Sequence, residues 1–155
     1  MEQIIQEISA KSDLAKIIIH SVPDIPGSAS KIFSILGEAG FNVETITQIS
    51  TRKNYCDIAF TIQESETTRV IEYLQMKLRD LRPTDFDIDK DVALITLFGP
   101  KIASTPGIAG KVFKIVSELG VNIENISASL MMISFLVPKH KVEPVIQALR
   151  QEFAA

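Results

Sequence analysis

Asp24 stands just ahead of Gly27-Ser28-Ala29, and the residues that follow carry apolar side chains at helical spacing. A helix that opens this way offers unpaired backbone N–H groups and the positive end of its dipole to an anion. Glycine lets a small molecule come close to the backbone. Asp24 supplies a carboxylate for a cation, and Gln48, on a strand further along, supplies an amide. The group suits a small zwitterion, with its carboxylate on the helix start and its ammonium at Asp24. Each residue also has an ordinary role: Gly27 in the turn, Asp24 as a helix cap or Asx-turn.

Other chemistry is sparse. His20 lies in an apolar strand and His140 at a helix start, far apart in sequence, which reads as packed or solvated histidine rather than a catalytic or metal pair. The single cysteine, Cys56, rules out an internal disulfide framework and a thiolate metal cluster, and reads as filler on a strand face. No P-loop or dinucleotide fingerprint occurs, so no cofactor is expected. The acids and bases, 19 Asp plus Glu against 16 Lys plus Arg, give a net charge of −3 with no basic block, and nucleic acid is a poor partner for such a surface. No apolar run approaches the ~18 residues of a membrane span, and no signal pattern opens the chain. A cytoplasmic location fits.

The elements come in two matching sets. Pro26-Gly27-Ser28-Ala29-Ser30-Lys31-Ile32-Phe33 and Gly40-Phe41-Asn42-Val43-Glu44-Thr45-Ile46 return as Pro106-Gly107-Ile108-Ala109-Gly110-Lys111-Val112-Phe113 and Gly120-Val121-Asn122-Ile123-Glu124-Asn125-Ile126. Roughly half the positions are identical at a period of about 80 residues. In the first copy, strands are expected at Lys16 to Val22, Val43 to Ile49, Cys56 to Ile62 and Phe86 to Ile88. A helix runs from Gly27 to Gly40, and a second carries Val70, Ile71, Leu74, Leu78 and Leu81 up to Pro83. Thr51 to Asn54 reads as a polar turn. Cys56, Ile58, Phe60 and Ile62 alternate with Asp57, Ala59 and Thr61, the period of a half-buried strand. The order is βαββαβ, the ferredoxin-like unit of an α+β fold.

The second copy has strands at Val92 to Phe98, Asn122 to Ser127 and Met131 to Val137, and helices through Val112 and through Val142 to Phe153. It lacks a final strand. Met1 to Ser9, with Ile4, Ile5 and Ile8, can supply it, since an uncompleted sheet edge leaves backbone groups unpaired; a frayed tail is the alternative. The expected domains are residues 14–91, and residues 1–13 with 92–155.

Val22-Pro23-Asp24-Ile25-Pro26-Gly27, Gly40-Phe41-Asn42-Val43 and Gly120-Val121-Asn122-Ile123-Glu124-Asn125-Ile126-Ser127 resemble the paired ACT domains of aspartate kinase, and the likeness covers nearly the whole chain. The resemblance implies an allosteric module without a catalytic site of its own. Such a module forms a homodimer through ACT domains, regulates an aspartate kinase catalytic domain or subunit, and takes threonine, lysine or both as free amino-acid effector for feedback inhibition. It also implies that Asn122, Ile123 and Ser129 close the pocket begun by Asp24, Gly27, Ser28, Ala29 and Gln48. Asn122 has a plain reading too, as a strand entry.

Two departures bear on the effector. Ser104 stands where Asp24 stands in the first copy, without charge. Ser129 is followed by Leu130-Met131-Met132, where the family typically has Ser-Glu. Loss of that carboxylate disfavours lysine and leaves threonine the better candidate. A ligand-free dimerisation module is the competing reading. A small hydrolase of the acylphosphatase kind needs an arginine in an anion-binding loop, and neither loop before the first helix of a copy has one.

Overall fold

The computed structural model describes residues 3–79 and 86–155. Ten α-helices and β-strands follow in order among these: β1 (Glu7–Pro23), α1 (Ser28–Glu38), β2 (Thr45–Arg52), β3 (Tyr55–Gln63), α2 (Thr67–Lys77), β4 (Phe86–Phe98), α3 (Ile108–Glu118), β5 (Glu124–Ala128), β6 (Met132–Val137) and α4 (Val142–Phe153). The chain divides into two compact units, Asp13–Lys90 and Met1–Ser12 with Asp91–Ala155.

Within the first unit the strand order is β2-β3-β1-β4. β3 pairs antiparallel with β1 on one side, Ile17 opposite Phe60, and with β2 on the other, Ile46 opposite Phe60. Ile32 and Leu36 of α1, and Val70 and Leu74 of α2, bury their side chains against Ile17, Ile19, Ile58 and Phe60. Spacing of three and four residues along each helix gives the single apolar stripe that such a layer needs. The second unit repeats the plan as β1-β4-β6-β5, with Ile95, Leu97, Ile133 and Phe135 under Val112, Val116, Val145 and Leu149. The copies even share an edge-to-face ring pair: Phe33 on Phe60 at 5.7 Å, and Phe113 on Phe135 at 5.8 Å. The fold is thus a pair of ferredoxin-like units.

The N-terminal segment completes the second unit. Ile5 and Ile8 are buried in its core, the Gln6 N–H donates to the Phe98 carbonyl at 2.8 Å, and the Arg150 guanidinium donates to the Ile8 carbonyl at 3.2 Å. Gln3 Nε2 reaches the carbonyl of Ala154 at 2.7 Å.

Several boundaries differ from the sequence reading. The N-terminal strand and the strand expected from Lys16 are one strand, β1, which starts at Glu7 and leaves Ile4 to Gln6 outside it. The short strand at Phe86 to Ile88 likewise runs on through Phe98 as β4. Polar residues at 9–13 and 87–91 look like breaks in the pattern, but a paired backbone accepts them where the side chains point to water. β2 extends to Arg52, so the turn shrinks to Lys53-Asn54, with Asn54 at φ 67°. β5 begins at Glu124 rather than Asn122. On β3, Ala59 and Thr61 are buried as well as the expected face. β3 is flanked on both sides, and short side chains there are screened by neighbours such as Ile18 and Thr47. α2 ends at Lys77, ahead of Pro83; Leu81 and Pro83 lie outside the described residues.

Candidate functional site

The loop between β1 and α1 is fixed at both ends. At its start the β1–β3 register shifts between Ile19 and Val22, and Ser21 takes φ 55°. Asp57 on β3 holds this bulge, accepting the Ser21 N–H at 3.1 Å. The Asp24 N–H then bonds the Asn54 carbonyl at 2.9 Å. At the far end Gly27 precedes α1 at φ 96°, a conformation a side chain would strain.

Asp24, Gly27 and Gln48 are exposed, Ala29 half-buried and Ser28 buried. Gln48 Nε2 donates to Asp24 Oδ1 at 3.2 Å, so the structure brings these two expected residues into contact. No side chain caps α1. The Ser28 N–H already donates to the Ile25 carbonyl at 3.3 Å, and the Ala29 N–H keeps its capacity for an acceptor from outside the helix. Ser28 Oγ is buried and bonds to nothing. A buried hydroxyl left this way costs free energy that a ligand oxygen or ammonium can recover.

In the second unit Asn122 is exposed, Ile123 packs partly on the core, and Ser129 closes the β5–β6 hairpin, its N–H donating to the Met132 carbonyl at 2.8 Å. Asn125 was not singled out by spacing. It sits at φ 51° where the β5–β6 register shifts, and its Nδ2 is buried without a partner. Ser28 Oγ and Asn125 Nδ2 are the two such side-chain atoms among the described residues. The signal in the sequence was its place in Asn122-Ile123-Glu124-Asn125, a polar residue on a strand that carries Ile123 and Ile126.

In the matching loop of the second unit the polar groups are either replaced or already bonded. Gly107 keeps the left-handed turn at φ 87°, but Ile108 replaces Ser28 and is buried. Ser104 and Thr105 turn their hydroxyls onto the Lys101 carbonyl, at 3.2 and 2.8 Å. Ala128 takes the place of Gln48.

Two ionisable groups near the first loop are shifted. His20 is held above its ordinary value by hydrogen bonds to Asp87 and then Asp57, against a smaller effect of burial. Cys56 is buried, and burial first, then the Asp24 and Asp57 carboxylates, push its thiol up. A raised, buried thiol is poorly nucleophilic, in keeping with filler. Among the described residues no cluster of His, Cys, Asp and Glu could hold a metal ion. None of their helices is long and apolar enough to cross a membrane.

Both units carry the ACT fold, and ACT domain family profiles match residues 16–75 and 95–153. The regulatory subunit of aspartate kinase from Thermus thermophilus, in a ligand-free form, superimposes with a TM-score of 0.88 at 30% identity, covering 97% of this chain and 99% of that one. A structure of aspartokinase alpha and beta subunits matches with a TM-score of 0.87 at 26% identity, over 97% and 99% of the two chains. Aspartokinase of Pseudomonas aeruginosa is 29% identical over 154 residues, 99% of this chain and 37% of that enzyme. The chain thus spans less than two-fifths of that curated relative's length. It belongs to the tandem ACT regulatory family of aspartate kinases.

Proposed function

We propose that the chain senses a free amino acid, threonine in preference to lysine, and through it restrains an aspartate kinase catalytic domain or subunit. The observation that carries this is the uncapped start of α1 with the buried, unbonded Ser28 Oγ beneath it and the Asp24–Gln48 pair beside it. The ligand carboxylate takes the Ala29 amide and the Ser28 hydroxyl next to Gly27, and its ammonium takes Asp24. On the second unit, Asn122, Ile123 and Ser129, with the buried, unbonded Asn125 Nδ2 among them, are that unit's own candidates for effector contact. The partnership is supported by the solved alpha and beta aspartokinase subunits, one of which this chain matches end to end. Feedback on a biosynthetic kinase puts the module in the cytoplasm.

The assembly is a homodimer through ACT domains. Ile46 and Ile49 on β2 of the first unit are exposed, as are Ile126 on β5, Leu130 and Met132 of the second, and large apolar side chains of this kind on each unit suit subunit contacts. A ligand-free dimerisation module is the second reading, and the depolarised second loop with Ile108 and Ala128 favours it for that copy alone. Titration calorimetry with threonine, lysine and other free amino acids, alongside light scattering, decides between them. Threonine binding by a dimer is expected. A dimer that binds no amino acid establishes the second reading, and a monomer at high micromolar concentration removes the assembly.

A further inference from the structure

His20 lies on β1 immediately before the Ser21 bulge, and both of its ring nitrogens are engaged. Nδ1 meets Asp57 Oδ2 and Nε2 meets Asp87 Oδ2, each at 2.7 Å. Asp57 comes from β3 and Asp87 from the start of β4, so one side chain ties three strands of the first unit. Among the described residues, these two carboxylates are the charged groups that face the ring from the neighbouring strands.

We infer that His20 is a proton-operated latch on the first unit, fastening the start of β4 to β1 when charged and releasing it when neutral. Two carboxylates can both accept from the ring if it carries both N–H protons. When the imidazolium gives one proton to solvent, a lone pair faces a carboxylate oxygen at hydrogen-bond distance, and one of the two bonds must open. Asp57 has a second anchor in the Ser21 N–H, and its side chain is 22% exposed. Asp87 is 70% exposed and has no other bond among the described residues. Nδ1–H therefore stays on Asp57, and Asp87 lets go.

The residues released carry more than a surface charge. Phe86, next to Asp87, packs against the core of Ile17, Phe60 and Leu74. Among the described residues the second unit has no such device. The cross-strand pair there that matches His20 and Asp57 is Phe98 opposite Met132, which does not titrate. The sign follows from the raised folded-state value. The contribution of the latch is full below about pH 6.5, the ordinary histidine value, and is lost as pH rises through the higher folded value.

Proton NMR of the His20 ring and amide hydrogen exchange of residues 86–90, corrected for intrinsic rates, test this on the full chain between about pH 5.5 and 9. His20 is expected to titrate above its ordinary value. Protection at 86–90 is expected to fall at least several-fold across that same transition, while the central β3 amides hold. Asp87→Asn, at an exposed position, should lower the His20 value and flatten the pH response of 86–90. His20→Gln should give protection that no longer follows pH. Titration of His20 at or below the ordinary value, level protection at 86–90, or an Asp87→Asn protein that behaves as wild type each overturns the latch. These readouts need no effector, so they stand apart from the test of amino-acid binding.

Discussion

A Cβ built on Gly99 would lie 1.8 Å from the carbonyl oxygen of Ile4. The N-terminal segment crosses the end of β4 against bare backbone, and nothing larger than hydrogen fits. Gly99→Ala should therefore lower stability by at least about 1–3 kcal/mol, the range for overpacking, because backbone rather than a flexible side chain has to move. Urea denaturation measures it. Gly110→Ala on α3 is the control. It has open space around it, and should be neutral or stabilising by up to about 1 kcal/mol. An unchanged midpoint for Gly99→Ala would show that the segment does not pass there.

Removal of residues 1–9 takes Ile5 and Ile8 from the second core and bares the edge of β4. Hydrogen exchange should show weaker protection across residues 92–153 and little change in β2 and β3. The milder Ile8→Ala should cost about 2–4 kcal/mol in the same unit. Equal losses in both units would argue against this role for the strand.

Calorimetry of Asp24→Asn, Ser28→Ala and Asn125→Ala should each show amino-acid binding weakened by roughly 1–3 kcal/mol, the cost of leaving one buried polar group of the complex without its hydrogen bond. Ser104→Ala should bind as wild type, since that hydroxyl is already spent on Lys101. Weakened binding in Ser104→Ala with intact binding in Asp24→Asn would move the site to the second loop.

Leu130 is 76% exposed at the hairpin tip after Ser129. Leu130→Glu places a carboxylate where the resemblance to the ACT family leads one to expect it. Lysine affinity should rise relative to threonine by about tenfold or less, and the gain should fade with added salt. Tight lysine binding by the unaltered chain would refute the preference for threonine.

Cys56 should react with a disulfide reagent at least about tenfold more slowly in the native chain than in urea, because its thiol is buried and its thiolate disfavoured. Rapid native labelling would mean that β3 opens readily.

How much of this could be read from residues alone varied with range. Local patterns carried far. Gly27 and Gly107 announced the helix starts, and the spacing of Ile32, Phe33 and Leu36 announced the packing face. The repeat announced two units, and the missing last strand pointed to residues 1–9. What escaped depends on contacts between distant positions. Gly99 looks like any loop glycine until Ile4 is laid across it. His20 reads as an ordinary strand histidine because its partners lie 37 and 67 residues away. Asn125 matters through a bulge that moves its amide, and periodicity does not register a bulge. The breaks expected inside β1 and β4 were polar stretches, and pairing of the backbone overrode them.

The bond between Gln3 and the Ala154 carbonyl has a practical meaning for engineering. Gln3 and Ala154 sit side by side on one unit. A short flexible linker should join them into a circle without disturbing either core. New termini could then be opened at the exposed Lys53-Asn54 turn of the other unit. A reporter fused at residue 3 or residue 154 would emerge from nearly the same point, so the two fusions should report alike.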